Sequence, residues 1–89
     1  MKDTYCVIAF GNTRVAMTVQ KALKEKGFRI DVMPTLREIT AGCGLSVRFT
    51  PVHLENIQQA VGEMSIEASL CQYYKVEAEM GRCSVTRLA

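Results

Sequence analysis

The chain has 89 residues with 11 Lys and Arg against 9 Asp and Glu, so its formal charge is only +2 with the single histidine neutral. A chain this short buries about 60% of the surface its unfolded form exposes, which leaves room for one thin two-layer core and excludes large-enzyme architectures. Hydrophobic residues at 48% and charged residues at 22% exclude a disordered segment, while dispersed charge and six aromatics without tryptophan exclude a nucleic-acid binder.

The chain reads as one domain over residues 1–89, with a core of about 3–79 and an extension over 80–89. Thr4 to Phe10 is rich in β-branched and aromatic residues and stops at Gly11-Asn12, the pattern of a buried strand and a turn. Asn12 or Thr13 then caps a helix, because a short side-chain oxygen accepts a hydrogen bond from a free N–H of the first turn. Val15, Ala16, Val19, Ala22 and Leu23 form its apolar face, and Gly27 ends it with the left-handed conformation a C-terminal cap commonly needs. Phe28 to Met33 alternates apolar and polar residues up to Pro34, predicting a second strand.

Leu45 to Phe49 alternates in the same way and predicts a third strand with Leu45, Val47 and Phe49 inward. Thr50-Pro51 matches a helix start, with Thr50 capping and proline in the first turn, and Leu54, Ile57, Val61 and Met64 supply the stripe of that second helix. Tyr73 to Ala78 alternates again as a fourth strand, and Gly81-Arg82 turns the chain into a short fifth piece ending near Leu88. The order β-α-β-β-α-β predicts an α+β fold, a ferredoxin-like sandwich with two helices on one face of an antiparallel sheet. That arrangement hosts many unrelated activities and names none.

No stretch approaches the roughly 20 apolar residues that cross a bilayer, and Met1-Lys2-Asp3 is unlike the basic start of a secretory leader, so a cytoplasmic protein is expected with no membrane contact. The cysteines at 6, 43, 71 and 83 are then expected as thiols. Their spacing contains no C-x-x-C knuckle and His53 stands apart, so neither a resident metal nor a cofactor is expected. Cys6 reads as core packing, and a disulfide between Cys71 and Cys83 across a hairpin near Gly81 stays open. His53, Glu77 and Glu79 offer no paired acid and base, and Gly11-Asn12-Thr13 lacks the glycines and lysine of a phosphate loop.

The segment from Pro34 to Gly44 is about twice as long as a usual hairpin link, and at its end Cys43 stands between two glycines. Gly42 and Gly44 remove crowding side chains, which predicts a sterically open sulfur. Arg37 and Arg48 lie within a few residues, and positive potential favours thiolate over thiol. Free cysteine is also a frequent small core residue, so residue chemistry by itself divides evenly between a reactive and a structural Cys43.

The run Pro34 to Ser46 resembles the signature of a family of small bacterial domains described as putative selenium or sulfur carrier protein-like. There a Pro-x-Pro-Arg stretch leads through an isoleucine and a hydroxyl residue to Gly-Cys-Gly and an aliphatic strand. Pro34, Arg37, Ile39, Gly42, Cys43 and Gly44 match, Leu36 replaces the second proline, and Thr40 stands where serine is common. The resemblance implies that Cys43 accepts sulfur or selenium as a persulfide or selenopersulfide, with Arg37 stabilising the thiolate and Gly42 and Gly44 giving access. It implies a carrier more than a self-sufficient enzyme, loaded by a donor such as a cysteine desulfurase-like enzyme and emptied by an acceptor protein. Two other classes compete: a non-catalytic ligand-sensing or oligomerisation module with a structural Cys43, and a soft-metal site across a homodimer.

Overall fold

A computed structural model describes residues 2–39 and 41–88, so Thr40 of the signature lies outside the described residues. Strand β1 (Lys2–Phe10) is followed by helix α1 (Thr13–Glu25), strands β2 (Asp31–Pro34) and β3 (Leu45–Phe49), helix α2 (Leu54–Gly62), and strands β4 (Cys71–Glu79) and β5 (Arg82–Leu88). All pairings are antiparallel and the sheet order is β2-β3-β1-β4-β5. The fold is thus α+β with two helices and an antiparallel sheet, as expected, but the short fifth piece expected after Gly81 pairs along β4 as a full strand, so the five-strand order departs from the ferredoxin-like sandwich of the element order. The reason is local. Met80 and Gly81 both adopt positive φ, 49° and 80°, which gives a two-residue turn the twist a hairpin needs, and the chain after β4 returns as a full extra strand.

The helix signals act much as expected. Asn12 caps α1 by accepting a hydrogen bond from the Val15 N–H at 2.9 Å, and Gly27 closes it at φ 88°. The Phe28 N–H then reaches back to the Leu23 carbonyl, so Phe28 and Ile30 pack against the helix-side core before β2 starts at Asp31. The predicted second strand is accordingly shorter than its alternation suggested. Thr50 occupies its expected position but makes no side-chain cap, and Pro51–His53 forms a single 3-10 turn ahead of α2.

Every residue from Tyr5 to Phe10 is buried, which requires cover on both faces of β1. Cys6, Ile8 and Phe10 face α1 and α2 through Val19, Leu23 and Ile57. Tyr5, Val7 and Ala9 face the other way, where no helix lies. Their cover comes partly from the loop of residues 35–44, which places Leu36 and buried Ile39 against them. A segment that looks in sequence like an overlong connector is therefore part of a second, smaller core.

Candidate functional site

The site forms where β1 hands over to α1. The Cys43 N–H donates to the Phe10 carbonyl at 3.1 Å, which pins the cysteine beside the end of the central strand. Gly42 makes this approach possible: a Cβ there would stand 2.0 Å from the Gly11 carbonyl oxygen. Gly44 plays no such part, since an added Cβ would meet nothing within 4 Å. The base of the loop is closed by the Thr35 N–H donating to the Gly44 carbonyl at 2.9 Å, and the Thr35 hydroxyl reaches the Cys43 carbonyl at 3.0 Å and the Ser46 hydroxyl at 2.7 Å.

The Cys43 sulfur has polar neighbours on two sides. The Leu45 N–H donates to it at 3.3 Å, and the Thr13 hydroxyl lies 3.6 Å away, within hydrogen-bond range for sulfur. Thr13 is the first residue of α1, so the sulfur sits by the N-terminal end of a 13-residue helix, where free N–H groups favour negative charge. Sequence reasoning did not single out Thr13 for this contact. Its signal was the glycine before the cap, which places a helix start next to any segment packed on Gly11.

The expectation of a sterically open sulfur is corrected. Cys43 is only 3% exposed and belongs to the helix-side core, and Gly42, which frees it from side-chain crowding, also lets the loop backbone close against Gly11. The two arginines are not gathered around it. Arg48 projects from the helix-free face, where it pairs with Asp3 at 3.0 Å and stacks over the Tyr5 ring at 3.9 Å. Arg37 is exposed on the loop, between residues that pack on the helix-free face, and makes no hydrogen bond or ion pair among the described residues.

The other thiols are separate. Cys6 is buried mid-strand, and burial pushes its thiol pKa up. Cys71 is also buried and pushed up by burial, and it borders a groove between α2 and β4 together with Gln58, Ala68 and Tyr73. Cys83 is exposed and pairs with Ala78, seven strand residues from Cys71 and on the opposite face of the sheet, a separation of about 23 Å at the rise of an extended chain. That rules out the Cys71–Cys83 disulfide, which needs Cα atoms within about 7 Å. Among the described residues no three His, Cys, Asp or Glu side chains converge, and no helix is long and apolar enough to cross a membrane.

Fold and site together define a small α+β domain built around a glycine-flanked cysteine held at a helix start. The family model described as Putative Se/S carrier protein-like matches residues 5–71, most of the chain, and the protein belongs to that family. The match ends at Cys71, so nearly all of β4 and the whole of β5 lie beyond it. No curated protein and no solved structure matches the chain.

Proposed function

We propose that this protein carries sulfur or selenium on Cys43 as a persulfide or selenopersulfide and passes it to an acceptor protein. The observation that carries the reading is the polar cradle of Cys43 Sγ, with the Leu45 N–H at 3.3 Å and the Thr13 hydroxyl at 3.6 Å, in a chain of this family. Sulfur otherwise surrounded by a hydrophobic core is given one N–H donor, a hydroxyl that can donate to it, and the start of a helix.

The transfer step balances without an oxidant. Cys43 Sγ attacks the terminal sulfur of a donor persulfide, the donor's S–S bond breaks, and the donor leaves as a thiolate with the bonding electrons. The thiolate takes up the proton that Cys43 gave up, so a persulfide and a thiol yield a thiol and a persulfide. Selenium moves in the same way. In this reading Thr13 and the Leu45 amide stabilise the charged sulfur, the role first assigned to Arg37. Gly42 holds the sulfur against α1, and the 35–44 loop moves aside for loading.

Mass spectrometry after incubation with a small-molecule persulfide tests the reading. The wild type gains sulfur on Cys43, the gain is reversed by a thiol reductant, and Cys43→Ser shows none at that position. Equal labelling of the two proteins removes Cys43 from the mechanism.

A further inference from the structure

Helix α1 turns one continuous stripe to solvent. Arg14, Met17, Lys21 and Lys24 follow at intervals of three and four residues, the spacing that keeps side chains on one helix face. All four are exposed, Met17 to 54%. The ion pairs among the described residues are Lys2 with Glu77 and Arg48 with Asp3, so no acid neutralises the cations of the stripe. Glu25 is the sole acid between residues 12 and 29, where Lys26 and Arg29 add further positive charge. The chain around α2 has the opposite sign, with exposed Glu55, Glu63 and Glu67 and no Lys or Arg between residues 50 and 70. A net charge of +2 thus conceals a basic helix α1 and an acidic stretch of chain around α2, of which Glu55 lies within the helix.

The stripe starts one residue beyond Thr13, whose hydroxyl is 3.6 Å from Cys43 Sγ, and extends about 15 Å along the helix at the usual rise. An exposed methionine flanked by unpaired cations combines an apolar anchor with an electrostatic rim. The geometry points to this face of α1 as the docking surface for the protein that loads Cys43, an acidic protein surface with an apolar recess for Met17. The inference rests on the carrier reading and adds to it the chemistry of the donor. The acidic stretch around α2, with Glu55, Glu63 and Glu67, repels the same surface and so sets the orientation in which the donor's sulfur meets the start of α1. Three cations interrupted by a methionine are too few for a phosphate track, which favours protein over nucleic acid.

Loading of Cys43 is to be followed by mass spectrometry with two probes, a persulfide-bearing cysteine desulfurase and free cysteine persulfide. With the desulfurase at low salt, K21E/K24E is expected to load at least tenfold more slowly than wild type and to lose most of the salt dependence, because charge complementarity acts mainly on association. With cysteine persulfide the two proteins load at the same rate. M17S slows loading by the desulfurase only. Equal desulfurase rates for wild type and K21E/K24E, or loading of wild type by cysteine persulfide alone, overturn the docking surface and leave the carrier reading standing. Failure of both probes on wild type overturns the carrier reading and this inference with it. Charge-sensitive binding of a single-stranded RNA oligonucleotide, with desulfurase loading unaffected, also overturns it and assigns the stripe to nucleic acid.

Discussion

Gly42 lies so close to Gly11 that a methyl group on its Cα would stand 2.0 Å from the Gly11 carbonyl oxygen and 2.9 Å from the carbonyl carbon. Both atoms are backbone at the end of β1, so no side-chain rotation relieves the clash. Gly42→Ala is expected to cost about 2 kcal/mol in urea unfolding, within the range of overpacked sites, and to disturb the Cys43 pocket. Gly44→Ala, with nothing within 4 Å of the added carbon, leaves stability and Cys43 reactivity near wild type. Similar losses in the two variants would show that the contact between the two glycines does not hold the site.

Exposure ranks the thiols differently from the sequence. In the native protein Cys83 is expected to be alkylated first, since it alone among the four is exposed. Cys6 and Cys71 resist at neutral pH, because burial both shields them and raises their pKa. Cys43, 3% exposed, is expected to react only as the 35–44 loop opens. Ile39, 5% exposed, anchors that loop on the helix-free face, so Ile39→Ala should speed Cys43 alkylation several-fold without changing the Cys6 rate. Peptide mass mapping over time measures all four, and a Cys43 rate unchanged in Ile39→Ala shows that the loop does not gate the sulfur.

Stability should fall in alkali. Cys6, Cys71 and Tyr73 all have raised pKa values from burial, Tyr73 to about 12. A group whose folded pKa is raised contributes stability fully present below its unfolded pKa and lost as pH rises through the folded one. For the thiols the loss starts above their ordinary value of 9.0, and for Tyr73 it runs from 10.0 to about 12. The urea midpoint is therefore expected to be flat from pH 7 to 8.5 and to drop beyond pH 9. Tyr73→Phe, which keeps the ring and removes the hydroxyl, should lessen the drop above pH 10. An unchanged alkaline slope in that variant contradicts the assignment to Tyr73.

Met80 occupies the left-handed region at φ 49°, a conformation that costs a side-chain-bearing residue about 1–2 kcal/mol, and its side chain is 90% exposed. Met80→Asn places a residue suited to that turn at no loss of packing, and a gain of about 1 kcal/mol is expected from thermal unfolding. A destabilised variant would mean that Met80 contributes contacts beyond the turn.

Local signals were legible wherever neighbours in sequence are also neighbours in space. Asn12, Gly27 and Gly81 act on backbone groups a few residues away, so the two helices, the turn before the last strand and the cysteine between glycines could be read without coordinates, whereas Leu45, expected inward from the period of two in β3, is exposed while Ser46 is buried. The run Thr4–Phe10 also announced a buried strand. What covers it was decided by tertiary structure, because only folding brings Leu36 and Ile39 onto Val7. The same holds for the sulfur. Glycine on either side of Cys43 was visible, but whether that space would be filled by solvent or by another part of the chain depended on Gly11, 31 positions before Gly42. Backbone packed there, which buried Cys43 and brought it to Thr13, while Arg48 was carried to the opposite face by the alternation of β3. Contacts between distant segments follow from the docking of whole elements, and no pattern within either segment encodes them.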